Sequence, residues 1–88
     1  MNKFTLLYAP EAKQGIDNLP STQLKQIAER VLLSLADNPF QGKKLLGRLS
    51  GLYSARVTRS YRIVYQFDVR KHIIWVLDVA HRKDVYRI

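Results

Sequence analysis

Arg56, Arg62, His81, Arg82 and Tyr86 are the residues whose types and spacing could do chemistry. Arg56 and Arg62 belong to two alternating runs, between Leu52 and Phe67, that meet across a short polar break. In the first run Tyr53, Ala55 and Val57 point one way, and Ser54 and Arg56 the other. In the second, Tyr61, Ile63, Tyr65 and Phe67 share a face and Arg62 lies opposite. Period-two alternation of this composition marks half-buried antiparallel strands. Residues paired across a hairpin must point to the same side of the sheet. A two-residue loop at Arg59-Ser60 would set Val57 against Arg62. A three-residue loop, Thr58-Arg59-Ser60, sets Val57 against Tyr61, Ala55 against Ile63 and Arg56 against Arg62. The longer loop sorts the side chains, with Val64 as the one exception. It also places two guanidiniums side by side on the open face. Like charges directly opposite repel, so an anion between them is a natural reason to keep them.

His81 and Arg82 lie just past the end of the next apolar run, and Tyr86 follows Arg82 by four residues. A single helical turn would bring Arg82 and Tyr86 to one side. Three guanidiniums, an imidazole and a phenol around one groove suit RNA cleavage without metal. The ribose 2′-hydroxyl attacks its own phosphate and the 5′-oxygen leaves. A base takes the first proton, cations hold the charge that builds on the phosphoryl oxygens, and an acid protonates the leaving oxygen. Arginine offers planar paired donors and stays charged. Histidine titrates near neutrality. Tyrosine can stack on a base or take part in proton transfer. Metal chemistry would need clustered imidazoles or carboxylates. Only His72 and His81 are present and the acids are scattered, so neither metal nor cofactor is expected.

Each of these residues also has a plainer reading. Arg62 can pair with a carboxylate and fix the sheet. Arg56 can be a solvated strand residue, His81 can cap the strand end, and Tyr86 can dock the tail. His72, beside a turn, reads as structural. Ser54 shares a face with Arg56, but no acid or base partner for it is identifiable.

The elements that must position these groups follow in order. Lys3 to Tyr8 reads as a strand. Pro10 suits a helix first turn, with Glu11 near the positive end of its dipole; Leu19-Pro20 closes that helix. Ser21 or Thr22 can cap a second one. Its Leu24, Ile27, Ala28, Val31, Leu32 and Leu35 keep a three-four spacing typical of a core face, and Asn38-Pro39 ends it. Phe40 to Gly51 reads as a loop whose leucines at 45, 46, 49 and 52 pack back on the body. Its Lys43, Lys44 and Arg48 either meet phosphates or are simply solvated. After the hairpin, Asp68 to Lys71 turns, and His72 to Ala80 forms a strand apolar on both faces, hence central or covered. The expected fold is α+β, in the order β-α-α-β-β-β. A helical hairpin packs on one face of a small, mainly antiparallel sheet, and the first strand joins it at an unassigned place.

At 88 residues the chain is expected to be a single domain, 1–88, with one core. It lacks cysteine, so disulfides and thiolate metal sites are excluded. No apolar run approaches the roughly 20 residues of a membrane span, and no signal peptide opens the chain, so a cytoplasmic location is expected. Fifteen Lys and Arg against seven Asp and Glu leave a net charge of +8, crowded into the second half. Such a field favours polyanions, nucleic acid above all, or an acidic protein partner.

The same segments carry a family likeness. Leu49-Ser-Gly-Leu-Tyr-Ser-Ala-Arg56, then Tyr61-Arg-Ile-Val-Tyr65, then Val79-Ala-His-Arg-Lys-Asp-Val-Tyr86 resemble the RelE/ParE superfamily of bacterial and archaeal toxins, on the RelE side. The resemblance spans nearly the whole chain. It implies a toxin of a type II toxin–antitoxin system, a ribosome-dependent endoribonuclease that cuts mRNA in the ribosomal A site. It also implies a cognate antitoxin that wraps and blocks it. By position, Arg62 corresponds to an arginine that stabilises the phosphoryl charge, and Arg82 to a second phosphate-contacting arginine. Arg56 occupies a basic place on the second strand. Tyr86 matches a tyrosine that positions or stacks on the RNA. His81 falls where some subgroups place a general acid or base. Lys43, Lys44, Arg48, Arg59 and Lys83 are expected to meet mRNA or ribosomal RNA. Some RelE-like members carry two alternate lysines on the second strand; here these places hold Ser54 and Arg56. Arginine is a poor base because its pKa stays above about 12, which points proton transfer towards His81.

Two other functions compete. A ParE-like inhibitor of DNA gyrase would act through protein contacts and would leave the cluster of His81, Arg82 and Tyr86 unexplained. A non-catalytic basic RNA-binding module would need stacking aromatics on the open hairpin face, whereas Tyr53, Tyr61 and Tyr65 fall on the buried side.

Overall fold

The computed structural model describes residues 3–86. β1 spans Thr5–Tyr8, α1 Pro10–Asp17, α2 Thr22–Asp37, β2 Lys43–Lys44, β3 Tyr53–Arg56, β4 Tyr61–Asp68 and β5 Ile73–His81. The helices follow the signals that start and stop them. Pro10 opens α1 in its first turn. The Ser21 side chain accepts the Leu24 N–H at 3.1 Å at the head of α2, satisfying one of the helix's unpaired donors. Asn38 then turns the chain, its Oδ1 accepting the Phe40 N–H at 3.1 Å.

The sheet has five strands in the order β1-β5-β4-β3-β2. β3 to β5 form the expected antiparallel meander. β1 takes the edge beside β5 and runs parallel to it, Leu6 against Ile74 and Tyr8 against Val76. β5 is therefore a central strand, one of the two places that its apolar run allowed. The hairpin register is the one that the faces required, with Ala55 against Ile63 and Arg56 against Arg62. The Val57 N–H donates to the Tyr61 carbonyl at 2.9 Å, which closes the loop Thr58-Arg59-Ser60.

The core lies between one sheet face and the helices. Ala12, Leu19, Ala28, Leu32 and Leu35 meet Ile63, Tyr65, Ile74, Val76 and Val79 there. Removing this apolar surface from water is the main stabilising term. The Tyr65 ring is fully buried, and its hydroxyl donates to the Pro39 carbonyl at 2.7 Å. Gly42 passes directly against that hydroxyl, leaving no space for a Cβ. Among the described residues no helix is long and apolar enough to cross a membrane.

The segment from Phe40 to Gly51 differs from the expected loop. It holds two short 3-10 turns, Pro39–Gln41 and Gly47–Leu49, and between them β2, which pairs Lys43 with Ser54 and Lys44 with Tyr53. Two lysines carry no apolar period, so alternation could not reveal this strand. Leu45, Leu49 and Leu52 are half-buried as expected, but Leu46 is 82% exposed and does not pack back. Val64, the exception to the sorting, is fully buried on the face away from the helices. The cause is the C-terminal turn. Val85 is also fully buried, and Tyr86 bonds Ser54, the residue paired with Val64. The tail therefore covers this end of the second face.

Candidate nucleic-acid interface

Arg56 and Arg62 stand in register on adjacent strands, on the face away from the helices. Both line one cavity of about 470 Å³, together with Lys43, whose register with Ser54 turns it to the same side. Among the described residues neither arginine forms an ion pair with a carboxylate. The plainer reading of Arg62, a guanidinium fixing the sheet through an acid, is thereby removed. Uncompensated like charges side by side in an open cleft attract an anion.

The C-terminal turn delivers a third group to this face. The N–H groups of Asp84 and Val85 donate to the His81 carbonyl at 2.8 and 3.0 Å, curling the chain through one turn. The Tyr86 hydroxyl then donates to Ser54 Oγ at 3.1 Å. Ser54 thus has the partner that the sequence did not identify. Arg82 is exposed, and its N–H is bound to the Ser60 carbonyl of the hairpin loop at 2.6 Å.

His81 does not join the arginines. β5 runs one residue beyond the expected end, so His81 is its last member, paired with Tyr61. Alternation turns it to the helix-covered side, opposite Arg62, where its ring meets Tyr61 edge-on with centroids 5.4 Å apart. Its Nδ1 accepts the Lys83 N–H at 3.2 Å. It lines a second cavity, of about 380 Å³, with Glu11, Asp78 and Asp84. Burial pushes the Asp78 carboxyl above its ordinary value; the Val79 N–H opposes this, and Glu11 and Asp84 add to it. The expected juxtaposition of an imidazole with three guanidiniums is therefore corrected: Arg56 and Arg62 line one cavity, His81 lines a separate one with Glu11, Asp78 and Asp84, and Arg82 lines neither of these two.

Lys44, Arg48, Arg59 and Lys83 are exposed. Lys44 pairs with Tyr53, which turns it away from the side of Lys43. Arg30 is a cavity residue that the sequence reading passed over. The signal was available: a charge at three-four spacing between Ile27, Val31 and Ser34 on a helix otherwise read as core. Among the described residues no group of three His, Cys, Asp or Glu side chains is placed to hold a metal ion.

Residues 6–86 match the family model for the ParE toxin of the type II toxin-antitoxin system parDE. The chain belongs to the RelE/ParE family of type II toxins. It is 32% identical over 85 residues to Toxin RelG of Mycobacterium tuberculosis, covering 96% of this chain and 97% of that protein. It is 35% identical over 78 residues to Toxin RelE of the same organism, covering 88% and 79%. Among solved structures, the toxin-antitoxin complex RelBE2 from Mycobacterium tuberculosis contains a chain that superposes with a TM-score of 0.78 at 30% identity, covering 91% of this chain and 99% of that one. In this RelE/ParE toxin the paired arginines and the C-terminal tyrosine lie on the sheet face that the helices leave open.

Proposed function

We propose that this toxin is a ribosome-dependent endoribonuclease that cuts mRNA in the A site by attack of the 2′-hydroxyl on the adjacent phosphate, without metal. The observation that carries the reading is the pair Arg56 and Arg62, in register, lining one cavity and bound to no carboxylate among the described residues. Two preorganised guanidiniums at a phosphodiester stabilise the charge that develops on its oxygens in the transition state. Arg82, beside the hairpin loop, adds a cation for the same strand. Tyr86 shares the face of Arg56 through its bond to Ser54 and is the group for stacking on a base or for proton transfer. His81 acts as a positioning residue: its Nδ1 holds the Lys83 N–H and so the turn that carries Tyr86. Lys44, Arg48, Arg59 and Lys83 meet mRNA or ribosomal RNA through their exposed charges.

A cognate antitoxin completes the reading. The similar RelBE2 chain was solved as a toxin-antitoxin complex, and a net charge of +8 favours an acidic partner.

The gyrase reading keeps one supporting observation, the match to the ParE family model. The curated relatives at 32% and 35% identity are named RelG and RelE, which favours the ribonuclease. Mapping transcript ends after induced expression separates the two. Cuts inside reading frames with undamaged DNA are expected. Intact transcripts with DNA breaks would replace the ribonuclease by gyrase inhibition.

A further inference from the structure

The cavity lined by Arg56 and Arg62 continues past them, over the edge of β3 and under α2. Among the described residues β2 pairs only with Tyr53 and Ser54, so none of them forms a strand outside Ala55 and Arg56, and the cleft is open there. Its far wall is one face of α2. Ile27, Arg30 and Val31 follow the three-four spacing, so a guanidinium sits inside an aliphatic stripe. Arg30 is exposed and, among the described residues, forms no ion pair with a carboxylate. Among the described residues, Arg30, Lys43, Arg56 and Arg62 line the cleft and no acid does, whereas Glu11, Asp78 and Asp84 line the second cavity. The cleft thus combines four cations with an aliphatic lining.

We infer that this cleft is a nucleotide subsite next to the cleavage point. Arg30 and Lys43 hold the phosphate adjacent to the one at Arg56 and Arg62, and the intervening nucleoside lies against Ile27, Val31 and Ala55. The inference rests on the ribonuclease reading and names the residues that hold the strand beyond the scissile bond. Size and shape favour a nucleotide over a peptide. A volume of about 470 Å³ is that of a small-ligand pocket. Strand addition by a peptide needs several free residues along an edge, and β3 offers only Ala55 and Arg56 beyond β2. Arg30 binds substrate from a helix, and its removal spares the sheet that carries the other arginines.

The test is binding of a 2′-O-methylated hexaribonucleotide, which cannot be cleaved, to the full chain across a salt series. In the wild type, the methyl signals of Ile27 and Val31 shift as the oligonucleotide binds. Arg30→Ala weakens binding about five- to tenfold at low salt and lowers the slope of log affinity against log salt by about 0.7, the loss of one phosphate contact on a single strand. Arg30→Lys restores most of both, and the melting temperature of either variant matches the wild type. Unchanged affinity and slope in Arg30→Ala, with binding still lost in Arg62→Ala, would overturn the subsite and leave the ribonuclease standing. Absence of binding by the wild type would overturn the subsite, while the ribonuclease stands or falls on the transcript ends mapped after induced expression. Methyl shifts produced by polyglutamate and not by the oligonucleotide would give the cleft to an acidic protein.

Discussion

At the scale of single residues, side-chain identity was legible and its orientation only partly so. Arg56 and Arg62 were placed correctly because the two-residue loop would set Val57 against a charge, and the three-residue loop does not. His81 was misplaced because a group beyond a strand end has no assigned side. One extra residue of strand fixed its side, and fixed it away from the arginines. An irregularity in the β4–β5 pairing at Val64 and Tyr65, which alternation cannot foresee, also shifts the register behind it. His81→Gln is expected to slow single-turnover cleavage by less than the roughly 10²–10⁴-fold that losing a proton-transfer group costs, with the shape of the pH–rate profile unchanged. Loss of a limb near neutrality would restore the imidazole as acid or base. Asp78, in the same cavity, has a pKa raised mainly by burial. A carboxyl whose folded pKa exceeds its unfolded value favours folding while protonated, and that advantage is lost as pH rises through the folded value. Asp78→Asn should therefore raise the melting temperature at pH 7, and the gain should vanish below the ordinary carboxylate pKa. An equal gain at every pH would mean that the carboxylate is not the cause.

Among the elements, the long amphipathic helix and the meander could be read from period alone. The parallel pairing of β1 could not, because β5 is apolar on both faces and accepts a neighbour without a face to match. The segment between α2 and β3 resisted for a different reason. Its structure comes from single contacts, with no repeating pattern: the Gln41 amide donates to the Ser34 carbonyl at 2.8 Å, and the Tyr65 hydroxyl to Pro39. That second bond ties the sheet to the turn after α2 and so sets where β2 and Lys43 lie. Tyr65→Phe should cost about 1–3 kcal/mol by leaving the Pro39 carbonyl unpaired, read as a lower midpoint in urea with an unchanged slope. The wild type should also lose stability in strong alkali, since burial pushes the Tyr65 hydroxyl up to about 12 and only its neutral form donates. A neutral Tyr65→Phe would show that packing holds this segment without the bond.

For the whole molecule, charge sorts by cavity. The basic cleft opens at the free edge of β3 and the acidic one at the end of β5 beside α1, so the field has a direction that a net charge of +8 does not reveal. The excess of cations was legible in composition; its separation from the imidazole was not, because it depends on which side of the sheet each residue faces. The central claim is that Arg56 and Arg62 hold the reacting phosphate. The most direct measurement is single-turnover cleavage of mRNA on programmed ribosomes by the wild type and Arg62→Ala, with ribosome binding measured in parallel. Arg62→Ala is expected to keep its fold and its affinity for ribosomes while cleavage falls by about 10²-fold or more. Cleavage by Arg62→Ala at the wild-type rate would contradict that claim.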